Sequence, residues 1–277
     1  MRNSLTALFI VLSIALFSCQ KEVDDIFSNT GGTAAGTRLI KTVEKMGADS
    51  VVTVFEYNSS GKISKAGIVS VEAGQAYYYT VAYVRNSAGI IEKQILESSE
   101  LASLGIDSVI SLVRFDAATN RYLNSVTDFS SLGFPIMDSI AFQHDGSGRV
   151  ISEIDYNDVG LGYIEIWKKE YTYNGNNLAT EKYYSFDLTS GEFILEETSS
   201  YEFDTKVNPL HFSSDAPILN LYPFYSANNL TRFTYVGVDP SDNFTSTTTY
   251  TYNSANRPLT DVTTSGSDVS TTTYYYQ

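Results

Sequence analysis

Aromatic residues alternate with polar ones along most of this chain, and each alternating stretch ends in a short turn followed by an aliphatic residue. The phrase runs Phe55-Glu56-Tyr57-Asn58 to Ile63. It returns as Phe142-Gln143-His144-Asp145 to Val150, Tyr171-Thr172-Tyr173-Asn174 to Leu178, Tyr201-Glu202-Phe203-Asp204 to Leu210 and Tyr250-Thr251-Tyr252-Asn253 to Leu259. Looser copies occupy 81–90 and 113–116. Side chains of a strand alternate between faces, so the rings share one face while Glu56, Gln143, Thr172, Glu202 and Thr251 take the other. Asn or Asp followed by small residues supplies the turn, because these side chains bond their own main chain or accept left-handed backbone. Each copy therefore predicts a hairpin. Copies return about every 26 to 32 residues, so roughly 12 to 16 strands are expected, an all-β antiparallel meander forming a barrel or wrapped sheet. Asp-Ser followed by an aliphatic at Asp49, Asp107 and Asp138 marks strand starts. Two segments break the pattern. Glu97-Ser98-Ser99-Glu100-Leu101 predicts a short helical turn capped by serine, and 213–221, set among Pro209, Pro217 and Pro223, predicts a long loop.

The N-terminus obeys a different rule. Arg2 precedes an apolar run, Leu5–Phe17, that Ser18 and Cys19 close. The run is shorter than the about 20 apolar residues a spanning helix needs, so residues 1–18 read as a signal peptide. Cys19 is the one cysteine of the chain and has no disulfide partner. Leu16, Ser18 and Cys19 resemble the cleavage box of bacterial lipoproteins, with Phe17 where Ala or Ser is commoner; the resemblance implies lipid on Cys19. Glu22, Asp24 and Asp25 resemble the acidic signal that sends Bacteroidetes lipoproteins to the outer face of the outer membrane. A lipid there holds a chain to the membrane without threading it through. Residues 19–38, with Gly31, Gly32 and Gly36, read as a flexible tether, and 39–277 as one β-repeat domain. Outer-membrane attachment with exposure at the cell surface is the expected location.

The formal net charge is −14, and removing residues 1–18 takes away Arg2 and makes it more negative still. Phosphate backbones would repel such a chain, which excludes nucleic acid as a partner. Asp145-Gly146-Ser147-Gly148-Arg149-Val150 resembles the second half of the YD repeat of Rhs-type shell proteins. Other copies are degenerate; the last carries Asn256-Arg257-Pro258-Leu259. Anchor and repeats together resemble uncharacterised Bacteroidetes lipoproteins whose domain is described as porin-like. The resemblance covers about Asp49 to Gln277, implies the meander above, and brings no activity and no functional residue with it.

Catalytic signals are thin. No motif marks a nucleophile for His144 or His211, no ligand spacing marks a metal, and no cofactor is expected. The loop Asp239-Pro240-Ser241-Asp242-Asn243 lacks the order of a calcium loop. Asp155, Asp158, Glu165 and Glu170 bracket Trp167, which makes Trp167 with Asp158 and Glu165 the place to look for a sugar. Runs of tyrosine at 77–79 and 274–276 cannot face one way, so Tyr78 and Tyr275 are candidate contacts for a glycan or protein. A non-catalytic surface lipoprotein that binds a glycan, peptide or partner is the expected function. A ligand-free structural shell is the alternative, and a surface glycoside hydrolase a weaker one.

Overall fold

The computed structural model describes residues 38–158, 160, 162–211, 215–219 and 225–277. Cys19, the signal peptide and all of the tether but Arg38 lie outside them. The strands are β1 (Leu39–Met46), β2 (Asp49–Tyr57), β3 (Ile63–Glu72), β4 (Gln75–Arg85), β5 (Ile91–Ser98), β6 (Val109–Asp116), β7 (Arg121–Asp128) and β8 (Met137–His144). They continue as β9 (Val150–Asp158), β10 (Tyr163–Asn174), β11 (Asn177–Asp187), β12 (Glu192–Val207), β13 (Asn228–Gly237), β14 (Phe244–Tyr252), β15 (Pro258–Ser265) and β16 (Asp268–Tyr276). Every strand pairs antiparallel with its neighbours in sequence, and β1 pairs with β16, which closes a 16-strand barrel. The all-β meander read from the alternation is the fold. The expected helical turn is present too, as α1 (Ser99–Ser103), with Ser98 Oγ accepting from Leu101 N.

The repeat phrase is a device for one end of this barrel. In each well-formed copy the turn residue accepts twice on its side chain: Asn58 from Ser60 N and Lys62 N, Asp145 from Ser147 N and Arg149 N, Asn253 from Ala255 N and Arg257 N. The residue before the cation must then be left-handed. Gly61 and Gly148 have φ of 79° and 89°, and Asn256, which stands where glycine would, has 57°. Asn is among the few other residues that tolerate that region, so the degenerate last copy keeps the same turn.

Two further bonds tie each copy to the next. Ring hydroxyls donate to carbonyls one hairpin away: Tyr57 to Leu39, Tyr173 to Val150 and Tyr276 to Pro258, at 2.5–2.7 Å. Burial pushes the Tyr57 hydroxyl up to about 12, so it remains a donor at physiological pH. The cation after the turn reaches the next turn: Lys62 Nζ donates to Gly89 O, Arg121 to Gly146 O and Arg149 to Gly175 O. The aromatic–turn–cation phrase thus encodes a chain of linked hairpins around one rim.

The connection from β12 to β13 leaves from that same rim and turns inward. Its described parts are residues 208–211, 215–219 and 225–227. Within it the single turn α2 (Ala216–Leu219) is buried at all four residues. Asp215 meets Arg85 of β4 at 2.9 Å and accepts from Tyr122 of β7 at 3.0 Å. Gln94 of β5 donates to Ile218 O at 2.6 Å. Tyr225 stacks on Tyr171 of β10, centroids 5.6 Å apart, and donates to Glu153 of β9 at 2.8 Å. The long loop expected here is an interior strap, because its short apolar run finds the ring-lined lumen as its only described place to hide from water.

The two halves of the lumen differ. On the repeat-turn side Phe55, Tyr83, Tyr122, Phe142 and Tyr171 pack with the strap in one apolar cluster. Toward the opposite end, inward positions carry Asp138, Glu153, Asp155, Lys169 and Glu181, with Lys169 and Glu181 paired at 3.0 Å.

Candidate functional site

The strap divides the lumen, and the larger space lies at the repeat-turn mouth. It is a cavity of about 610 Å³ between the turns of β6–β7, β8–β9 and β10–β11 and the strap. Tyr122, Tyr173 and Tyr225 form its walls, and Arg121, Arg149, His144 and His211 bring polar groups into it. His144 is placed by the repeat: it takes the second ring position of its copy, pairs with Val150, and points inward. Burial, and then the Arg121 cation, lower its affinity for a proton, an effect only partly offset by Asp145, so it is a neutral hydrogen-bonding ring at neutral pH.

The carboxylates of the turns at the mouth are bonded within their own turns. Asp116 accepts from Ala118 N and Thr119 Oγ1. Asp145 accepts from its own turn and from Arg149 Nε. A burial penalty on Asp145 is outweighed by the Ser147 and Arg149 bonds, which hold it well below the usual carboxylate range. Arg149 lies over the Tyr173 ring, 4.8 Å from its centroid. Arg121, by contrast, makes one long bond, 3.4 Å to Gly146 O, and joins no ion pair among the described residues.

Beneath the strap a smaller cavity of about 240 Å³ is lined by Val81, Ile140 and Phe142 together with Asp138 and Glu153. Asp155 borders this level, opposite Ile140. Burial raises the Asp155 carboxyl, and a hydrogen bond shared with Asp138 and that group's charge raise it further, to about 8. Its Oδ1 is buried without a hydrogen-bond partner among the described residues. Burial likewise raises Glu153, against the bond from Tyr225. Asp155 is thus largely protonated at neutral pH inside the wall.

The sequence candidates do not converge. Trp167 faces the lumen, opposite Asp155, with its ring 6.2 Å from that of Tyr183. Glu165 pairs across from Tyr156 on the outer face, and a bulge separates it from Trp167. Asp158 spends its carboxylate on Gly160 N and Gly162 N at the far end of the barrel. Glu170 is outside, bonded to Lys168 and Tyr184. Tyr78 sits on the outer face between the inward Tyr77 and Tyr79, and Tyr275 lies outside under the Lys41 ammonium, 4.8 Å from its centroid. No cluster of three His, Cys, Asp or Glu arranged for a metal occurs among the described residues. The alternation signalled only part of the mouth cavity: His144 was visible as an inward residue, while Arg121 and Tyr225 were not. The one signal available was the repeat itself, since the residue after each turn stands on the rim.

No family model and no curated relative matches the chain. Solved structures do. A porin-like protein from Bacteroides uniformis superposes with a TM-score of 0.55 at 12% identity, covering 88% of this chain and 100% of that one. A porin-like protein from Bacteroides vulgatus gives 0.52 at 11% identity over 87% and 99%. At such identities the likeness establishes the fold, a closed antiparallel barrel, and nothing finer.

Proposed function

We propose that this chain is a non-catalytic barrel lipoprotein, anchored through Cys19 at the outer face of the outer membrane, that binds a glycan, peptide or partner in the repeat-turn mouth. The observation that carries this reading is the mouth cavity itself, of about 610 Å³, walled by three tyrosines and floored by the strap. Its size and its mixed aromatic and polar lining suit a small polar ligand. Tyrosine rings stack on sugars while their hydroxyls bond them. Strands of the YD type supply the wall and fix the rim, so the repeats serve the site as scaffold.

Glycan-array and pull-down screens of the lipidated full chain in detergent test this. A binder is expected, and Ser147→Trp, which places an indole at the exposed rim, should abolish its binding without altering the melting temperature. Screens that both return nothing, or a binder indifferent to that substitution, would remove the reading. The ligand-free shell has one observation in its favour: the described part of the strap, Ala216–Leu219, is buried in the lumen and packs in its core.

A further inference from the structure

The chain has 32 acidic and 18 basic side chains, yet among the described residues that line this mouth there are two arginines and two histidines and no carboxylate. We propose that the mouth cavity selects an anionic ligand of sugar size, a saccharide carrying a phosphate, sulfate or carboxylate, with Arg121 as the group that recognises its charge. The inference rests on the cavity being the binding site, as proposed above, and names the class of ligand.

Three features support it. The acids around the mouth are engaged elsewhere, Asp116 and Asp145 by turn amides, Asp215 by Arg85 and Tyr122, and Glu153 by Tyr225, and none of them forms an ion pair with Arg121. Arg149 is already neutralised by Asp145 at 2.6 Å and is stacked on Tyr173, which makes it a wall. Arg121 therefore stands as a rim cation whose fork is held by one long bond to Gly146 O, with donors left over for a bidentate anion.

Titration calorimetry on the lipidated full chain, with glucose 6-phosphate, glucuronate and glucose as probes, tests the charge. An anionic probe should bind at least tenfold more tightly than glucose, with the stronger of the two reporting whether phosphate or carboxylate is preferred. Arg121→Gln should weaken the anion at least tenfold and any glucose binding by much less, and Arg121→Lys should restore part of the loss. Equal binding of glucose and the anions overturns the charge inference while leaving the cavity reading intact. So does an anion that binds Arg121→Gln as well as the parent. If neither anion binds while the array finds a neutral ligand blocked by Ser147→Trp, the inference is likewise wrong and the cavity reading stands.

Discussion

Replacing Asp215 by alanine removes the anion that neutralises Arg85 inside the barrel. The pair is 2.9 Å apart, with side chains 5% and 10% exposed for Arg85 and Asp215. Truncating one partner of a buried pair costs about 3–5 kcal/mol, because the other is left charged and dry. Arg85 keeps its bonds to Ile63 O and Gly89 O, which argues for the lower figure, about 3 kcal/mol. For a domain this large that is a fall of about 6–12 °C in melting temperature. The molecule has a second way to respond. The strap can withdraw and let water reach Arg85, which limits the global loss and moves the effect into local opening. Thermal unfolding combined with hydrogen exchange on 215–219 separates the two. Either the midpoint falls or strap protection drops by a comparable free energy. Asp215→Asn, which keeps an acceptor for Tyr122, should lose less. A variant with both the midpoint and the protection unchanged would refute the claim that the strap is held by this pair.

Three further outcomes are expected. Tyr276→Phe leaves the Pro258 carbonyl without its buried donor and should cost about 1–2 kcal/mol in a denaturant titration. Asp155 is raised in the folded barrel, so folding takes up a proton and stability falls as pH rises from about 4, its unfolded value, to about 8. Asp155→Asn should flatten that slope in denaturation midpoints measured between pH 5 and 8, and an unchanged slope would count against the buried Asp138–Asp155 pair. Cys19→Ala should move the protein from the membrane to the soluble fraction, and mass spectrometry of the parent chain should find acyl chains on Cys19; an unmodified cysteine would end the anchoring proposal.

The hairpins were legible because their information is local. Asn58, Asp145 and Asn253 bond their own turns, and the ring spacing sets which face turns inward, so a few residues suffice to read each copy. Even the departure at Asn256 is intelligible from the backbone angle it must adopt. The strap was not legible in the same way. Asp215-Ala216-Pro217-Ile218-Leu219 has no period, and the partners Arg85 and Tyr122 of Asp215 and Gln94 of Ile218 lie roughly a hundred residues upstream. Asp155 and Trp167 were noticed as neighbours in sequence, but a bulge in β10 put Glu165 on the opposite face. Whether a residue faces in or out near a bulge depends on pairing that single-strand alternation does not contain.

The seam between β1 and β16 has a consequence for how the molecule is made. Arg38 and Gln277 exchange backbone hydrogen bonds, N to O in both directions, at 3.1 and 2.8 Å, so the circle is completed by its first and last described residues. Until the final strand has docked, the folding polypeptide is a curled sheet with two raw margins, each able to pair with another copy. Losing only the last strand would leave those margins permanently open, and clumping of chains, more than weakened folding, would be the visible harm.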